Sequence, residues 1–535
     1  MPSPSMAAAQ QAWQQLLGPD RVHLDGNIPD HFKLDTGHSR HATSTVLKAS
    51  KAEQVPEVLR IAQAHGIPIH PISTGNNWGY GSSRPPVNGA AILDLSELDE
   101  ILHFDADLGV VTVEPGVTQG KLASFLDKHQ HNYMVPTTGA GPSCSVLANA
   151  LERGYGITPY VDHFGAVTDL EAVLADGSVY KSALREAGGD ELARLFKWGI
   201  GPFVNGLFSQ SGFGVVTRAS IQLAHRPECC KVCIFNLPSD DLLDEAVTRV
   251  RELLKGLPGI LGGINLMNQH RVLAMSAPYP PAEQRDAQGL MPPELVATLG
   301  KQYQIGPWTG YATLYGRKRV VAAAQKEIRR VLKGVASRLV FLSSTQARWL
   351  SRIAAHLPGQ LGERLGKTAR TLSSSLQLVE GRPNETALPL AYWRANTPQP
   401  SDGRNPARDG CGLLWYAPLV PMRAQDVRRF IEFATAELVR HRLEPLITLT
   451  SQGDRLFDST VPLLFDLKDE EASKAAHECL ARLTEGGRAL GFYPYRLHVE
   501  GMEAHAKRHP HSTRLVQRLR HALDPQNLLS PDRYV

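Results

Sequence analysis

The chain has 535 residues, of which 42% are hydrophobic and 21% charged, and a net charge of +4. That length exceeds one ordinary hydrophobic core, so two domains, or one domain with a large insertion, are expected of a globular rather than a disordered chain. So small a net charge gives no basic footprint for a nucleic acid; no apolar run approaches the roughly 20 residues of a membrane span, and six cysteines form no disulfide scaffold, which points to the cytoplasm. Met1 to Gln15 also lacks the basic start and apolar run of a secretory signal. Cys229, Cys230 and Cys233 cluster, but no second Cys or His pair stands at zinc-site distance, so no metal is expected.

In chain order, the β-branched segment Thr43 to Ala49 predicts a strand. Val55, Val58, Leu59 and Ala62 then recur at helical spacing between Glu53 and His65, and Gly66 supplies the stop. Ile67 to Ile72 resumes an extended apolar pattern, completing a β-α-β unit that runs into the loop Ser73 to Ser83. Its glycines, hydroxyls and amides, among them Thr74, Gly75, Asn76, Asn77 and Gly79, offer backbone N–H groups to an anion such as a pyrophosphate. The spacing is neither G-x-G-x-x-G opening a helix nor a Walker sequence, which excludes a Rossmann or P-loop assignment. A plain surface loop is the alternative. Trp78 and Tyr80 weigh against it, because two aromatic rings inside a glycine loop suggest that it faces a pocket.

Ala91 to Leu95 and Val110 to Val113 read as strands, and a helix runs from Val117 to about His129. Pro136 to Ser145 is rich in glycine and proline and holds no carboxylate or imidazole. The stretch Leu147 to His163 follows, with small residues before Glu152 against which a flat ligand can lie, then Gly154, Gly156 and a Thr158-Pro159-Tyr160 turn that aims one phenol outward. An ordinary loop is again the alternative. Asp169 to Leu174 and Val179 to Ser182 flank Asp176-Gly177, the signature of a hairpin with a type I′ turn. After Gly199 to Gly206, Leu207 to Thr217 and the strand Ala219 to Leu223, the texture changes between Pro227 and Pro238. Beyond that point a helix over Asp240 to Leu257 alternates with strands such as Tyr311 to Tyr315 and Leu413 to Tyr416, in what reads as a second, substrate-covering domain. A last helix, about Thr513 to Leu523, leads into Asp524 to Pro531, a tail expected to fold back on the first domain.

Five motifs occur in order: Tyr80-Gly81, Glu152 to Tyr160, Gly206 to Ser211, Tyr495-Arg496 and Asp524 to Pro531. Together they resemble the vanillyl-alcohol oxidase and para-cresol methylhydroxylase group of FAD-linked oxidases, over nearly the whole chain but weakly from Pro238 to Pro406. The resemblance implies an α+β fold: an FAD-binding domain over residues 1–236, completed by 500–535, and an inserted α+β cap over 237–499. It implies FAD contacts from Thr74, Gly75, Asn76, Asn77, Gly79, Ser143, Asn149, Glu152, Gly154, Gly156 and Val216. It further implies that Tyr80, Tyr495 and Arg496 hold a para-substituted phenol as phenolate, with Tyr160 in the same pocket. Ionising a phenol of pKa near 10 at neutral pH takes about three units, roughly 4 kcal/mol, within reach of one guanidinium and two hydroxyls. The implied reaction is hydride transfer from the benzylic carbon to flavin N5, giving a quinone methide that water or proton loss resolves.

Two departures stand out. The oxidase branch carries an acid in the loop matching Pro136 to Leu151, where this chain has none and Ser143 stands near the place, so proton transfer is left to water or a cap residue. No histidine occurs between Leu357 and Arg440 to match the branch's flavin-linking residue, and Asn77 stands where other relatives carry one. FAD is therefore expected to be non-covalent, with a tyrosyl link through Tyr392 left open. Where the family often has cap histidines, Arg455, Asp458 and Ser459 appear instead, which suggests an unusual substrate. The expected partners are a small aromatic substrate and either oxygen or an electron-acceptor protein, with a homodimer left open. Oxidation of a sugar or aldonolactone, which Tyr80 and Tyr495-Arg496 argue against, and a flavin-free binding protein that keeps the fold are the alternatives.

Overall fold

The computed structural model describes residues 4–354, 372–395 and 397–534. It resolves into two compact units: Met1–Gly156 with Asp162–His225 and Leu497–Val535, and Ile157–Val161 with Arg226–Arg496.

In the first unit, the parallel strands Thr45–Lys48, Ala91–Asp94 and Ile69–Ile72 form a four-stranded sheet with Val22–Leu24 antiparallel at its edge. Their near-continuous apolar sequences suit strands covered on both faces. Helix Val55–His65 turns Val55, Val58, Leu59 and Ala62 into the core beside Trp13, whose indole N–H donates to the Val58 carbonyl at 3.1 Å. Gly66 closes that helix in the left-handed conformation, φ 63°, as its sequence position predicts. A second, antiparallel sheet runs Ile101–Asp105, Val110–Val113, Val215–Gln222, Val167–Val173, Val179–Lys181.

The hairpin at Asp176-Gly177 forms, but its turn is not type I′. Only Gly177 takes a positive φ, 79°; the Ser178 carbonyl accepts from Leu174 N–H, and Asp176 Oδ1 accepts from the Ser178 N–H at 2.9 Å. That side-chain bond holds Asp176 in an Asx turn and leaves the left-handed requirement to glycine alone.

The tail does fold back. Helix Pro510–Leu523 ends at Asp524, whose two carboxylate oxygens accept from Leu528 and Leu529 N–H at 2.9 and 2.8 Å. The turned chain then lies parallel to Ile69, with Ile69 N–H donating to Leu528 and Ser530 N–H donating to Ile69, both at 2.8 Å.

The second unit is built on a nine-stranded sheet in the order Ser337–Leu342, Cys229–Leu237, Trp308–Gly316, Leu261–Asn268, Thr448–Gln452, Leu456–Asp466, Pro418–Pro421, Tyr493–Pro494, with Cys411–Tyr416 also paired to Leu456–Asp466. One face buries Phe235, Trp308, Leu314, Phe457, Val461 and Phe465 against helices Leu243–Gly256, Lys318–Val331, Ala424–Arg440 and Glu470–Ala489. Gly310 is required there, because a Cβ would stand 2.1 Å from the Phe235 ring. Strand alternation sends Cys233 into this core and Cys230 to the opposite face, so the cysteine cluster of the sequence is divided between two surfaces. Among the described residues no helix is long and apolar enough to cross a membrane.

Candidate functional site

In the first unit the Ser73–Ser83 loop leaves strand Ile69–Ile72 and is held by its neighbours. Gly79 N–H donates to Thr36 Oγ1 at 2.8 Å, and Asn77 O accepts from the N–H groups of Tyr80 and Ser82 at 3.1 and 3.0 Å. Gly75, at φ 68°, takes a conformation that a side chain resists, and a Cβ there would meet Ser83 Oγ at 2.2 Å. The backbone N–H groups of Gly75, Asn76 and Trp78 donate to nothing among the described residues, leaving three amide dipoles in one short loop for an anion. Asn76 joins this loop to the one before the next helix, its Nδ2 donating to Ser143 Oγ at 2.9 Å.

Ser145 caps helix Val146–Leu151, accepting from Ala148 N–H at 3.0 Å, and the helix delivers Asn149 beside His163, with Nδ2 and Nδ1 2.6 Å apart. Gly154 and Gly156 fit closely over this pair: a Cβ at Gly154 would lie 2.0 Å from Asn149 Oδ1, and one at Gly156 2.4 Å from His163 Nε2 and 2.6 Å from Thr137 O. His163 Nε2 is sealed from solvent without a partner among the described residues, and burial draws the imidazole pKa down to about 4, so the ring is neutral. Glu152 pairs with Arg533 of the tail, while His70, its pKa lowered to about 3 by burial and by Arg533, meets Ser530 Oγ at 3.1 Å. Val216 sits in the hydrophobic core of the antiparallel sheet.

The cradle has the form a dinucleotide needs: open amides after a strand, glycines where backbone must be approached, and a buried polar atom awaiting a partner. The residues present fit FAD.

The second unit carries a different kind of surface. On the sheet face opposite its core, cross-strand partners follow one another as Ile234, Tyr311, Asn265, Thr450, Asp458 and Leu419, with Leu419 paired in turn to Tyr493. The hydroxyl of Tyr311 is buried with no partner among the described residues. So is Asp458 Oδ1, and burial alone raises that carboxyl from 3.8 to about 7. At the neighbouring register Tyr315 hydroxyl lies between the carbonyls of Ile157, 2.8 Å, and Val379, 2.9 Å, over Gly262, where a Cβ would meet its ring at 2.6 Å. Tyr495 N–H donates to Ala417 O at 3.2 Å, so Tyr495 and Arg496 continue the edge of this same sheet beyond Tyr493–Pro494.

The chain matches an FAD binding domain family over residues 43–183. It is 31% identical to the 1'-carboxy-chondrochloren decarboxylase of Chondromyces crocatus over 98% of this chain and 96% of that one. It is 27% identical to the 4-cresol dehydrogenase (hydroxylating) flavoprotein subunit of Pseudomonas putida, covering 98% and 94%. The solved structure of p-cresol methylhydroxylase with substrate bound matches with a TM-score of 0.87 at 25% identity, covering 100% of this chain and 97% of that one. The chain belongs to the vanillyl-alcohol oxidase and para-cresol methylhydroxylase family of FAD-linked oxidoreductases. Its fold is the α+β arrangement of that family and its cofactor is FAD.

Within this family member the expected site residues divide between the units. Thr74, Gly75, Asn76, Asn77, Gly79, Tyr80, Ser143, Asn149, Glu152, Gly154, Gly156 and Val216 lie in the first unit, and Tyr160, Tyr495 and Arg496 in the second. The first set contains two clusters that sequence alone did not join, Asn76 with Ser143 and Asn149 with Gly154 and Gly156. Tyr80 is buried, its carbonyl accepting from Val499 N–H at 3.1 Å, whereas Tyr160 is 44% exposed. Tyr392, the residue left open for a covalent link, is buried and donates its hydroxyl to Asp409. Sequence reasoning gave no role to His163, Arg533 or Tyr311, and named Asp458 only as standing where the family often has a cap histidine. Of the first three only His163 had a usable signal, an imidazole seven residues beyond Gly156 in a loop already singled out.

Proposed function

We propose that the chain oxidises para-substituted phenols at the benzylic carbon. The observation that carries this reading is 27% identity across 98% of the chain to a 4-cresol dehydrogenase flavoprotein subunit, together with retention of Tyr80 and the Tyr495-Arg496 pair. FAD, when bound, supplies the acceptor for two electrons and the benzylic hydrogen. The chain's own residues prepare the substrate. Arg496 places a fixed positive charge at the phenol oxygen, and Tyr80 and Tyr495 supply hydroxyl donors, which together favour the phenolate, with Tyr160 in the same pocket. Charge on that oxygen pushes density into the ring and weakens the benzylic C–H bond.

Asp458 is the group suited to hold or release a proton. Its Oδ1 is sealed and uncompensated, and a carboxyl with pKa of about 7 exists in both forms at neutral pH, the condition for general acid–base work. This assigns to a cap residue the proton transfer that the acid-free loop Pro136 to Ser145 does not perform. FAD is held without a covalent bond in this reading, Tyr392 being engaged with Asp409.

A second reading, oxidation coupled to loss of a carboxyl group, draws on the 31% identity to a decarboxylase. Anaerobic mixing of the FAD-loaded protein with 4-alkylphenols and with carboxylated phenols tests both. Bleaching of the flavin band by 4-ethylphenol supports the first, and release of carbon dioxide supports the second. Admission of air then separates an oxidase, which recovers its colour at once, from a dehydrogenase.

A further inference from the structure

A half-buried cation in the second unit has no counter-charge among the described residues. Arg271 stands in the first turn of helix Gln269–Ser276, entered from strand Leu261–Asn268 through Asn268, whose Oδ1 accepts from Arg271 N–H at 3.0 Å. The helix packs against strands Leu261–Asn268 and Trp308–Gly316 and against the turn Leu388–Tyr392, and none of its residues enters the core that the four long helices build on the other sheet face. Trp393, just after that turn, donates its indole N–H to Ala277 O at 2.9 Å. The helix therefore belongs to the layer over the face that bears Tyr311 and Asp458.

The Arg271 guanidinium makes no hydrogen bond and no ion pair among the described residues. Nε and Nη1 are sealed from solvent, which leaves Nη2 as its open corner. Neighbouring acids do not serve it. Glu444 directs Oε1 to Met291 N–H at 2.8 Å and Tyr279 hydroxyl at 3.0 Å, and its Oε2, which makes no hydrogen bond among the described residues, lies 3.7 Å from His270 Nε2 and makes no ion pair with Arg271. Burial lowers the Arg271 pKa to about 10, which still leaves it cationic at neutral pH. A charge whose donors are withdrawn from water without a partner is costly, and a ligand that neutralises it relieves that cost. One guanidinium with a single open nitrogen, and no lysine or second arginine interacting with it among the described residues, matches a single negative charge, which is a carboxylate rather than a phosphate dianion.

We propose that Arg271 is an anion-recognition residue that binds a carboxylate carried by the substrate. The proposal rests on the phenol reading only for the rest of the substrate molecule: the substrates are then phenols bearing a carboxylate group.

The test is calorimetric titration of the FAD-loaded protein with 4-hydroxyphenylacetate and with its primary amide, in wild type, Arg271→Gln and Arg271→Lys. Wild type is expected to bind the acid about tenfold or more tighter than the amide, Arg271→Gln to lose that preference with the amide affinity unchanged, and Arg271→Lys to keep part of it. Equal affinity of wild type for acid and amide overturns the subsite, as does equal weakening of both ligands in Arg271→Gln. Should Arg271→Gln fold poorly, Arg271→Lys alone decides, since a carboxylate contact predicts a preference that is reduced and not abolished. Flavin reduction by 4-ethylphenol, measured on the same preparations, keeps the two readings apart. A preserved acid preference with no reduction overturns the phenol chemistry and leaves the subsite standing, while reduction without acid preference does the reverse.

Discussion

The two units solve opposite problems with opposite means. In the first, binding surface is made from backbone: glycines at 75, 154 and 156 clear space, amides are left open, and the charged side chains Glu152 and Arg533 neutralise each other. In the second, it is made from side chains: Tyr311 and Asp458 on the sheet and Arg271 on a helix packed against it hold sealed polar atoms that find no partner among the described residues. A cofactor that stays bound is suited by a fixed backbone cradle whose open amides it satisfies. A surface that must bind, change and release a small molecule retains uncompensated groups whose needs the ligand meets.

The largest effect is expected at the side-chain end. Arg496→Ala should slow flavin reduction by 4-ethylphenol by roughly a thousandfold while FAD stays bound, read by anaerobic stopped flow and by the flavin-to-protein absorbance ratio. Survival of reduction would break the assignment of phenolate chemistry to Arg496. Next comes the backbone end. Gly156→Ala places a Cβ against Thr137 O, a backbone atom that cannot swing aside, so purified protein should lose most of its flavin, at a cost on the order of 2 kcal/mol or more. Retention of full flavin content would show that the close fit is incidental.

The pH behaviour of the two units should run in opposite senses. His163 titrates at about 4 when folded and near 6.5 when unfolded, so the unfolded state binds the extra proton between those values, and its contribution to stability is lost as pH falls from 6.5 towards 4. Asp458 titrates at about 7 when folded and 3.8 when unfolded, so the folded state binds the extra proton, and stability falls as pH rises from about 4 to 7. Asp458→Asn should therefore raise the melting temperature by a few degrees at pH 8 and leave it unchanged at pH 3. The same variant should remove an inflection near pH 7 from the rate of flavin reduction. The smallest expected effect is that of Asn76→Ala, which removes one loop-to-loop bond to Ser143 and should weaken FAD retention by about 1 kcal/mol, measured as a shift in flavin release on heating.

The same contrast explains what the sequence made legible. Backbone devices announce themselves: Gly66 as a helix stop, the glycines of residues 73–83 and 154–156, and the apolar spacing of Val55, Val58, Leu59 and Ala62 could be read because they depend on residue type and local spacing. Even there the turn at Asp176 was misjudged, since its side chain bonds Ser178 and removes the need for a second left-handed residue. The side-chain surface was hidden for a physical reason. Asp458 is notable for the absence of a partner, and that absence arises only when Thr450 and Leu419 arrive from other strands as its neighbours. Arg271 in the sequence is one basic side chain among 57 lysines and arginines, and only the sealing of its Nε and Nη1 without a partner distinguishes it.

The pairing of Ile69 with the chain at Leu528 and Ser530 carries a consequence for biogenesis. The His70–Ser530 contact spans 460 positions, so closing it carries a large loop entropy and a sheet edge beside the cradle stays unpaired until almost the whole chain has been synthesised. Nascent chains of this protein would display that apolar edge throughout translation of the second unit, a window in which chaperone protection matters more than final stability. Flavin loading would then be a late event, and a truncation a few residues before Asp524 would yield protein that is both colourless and prone to aggregate.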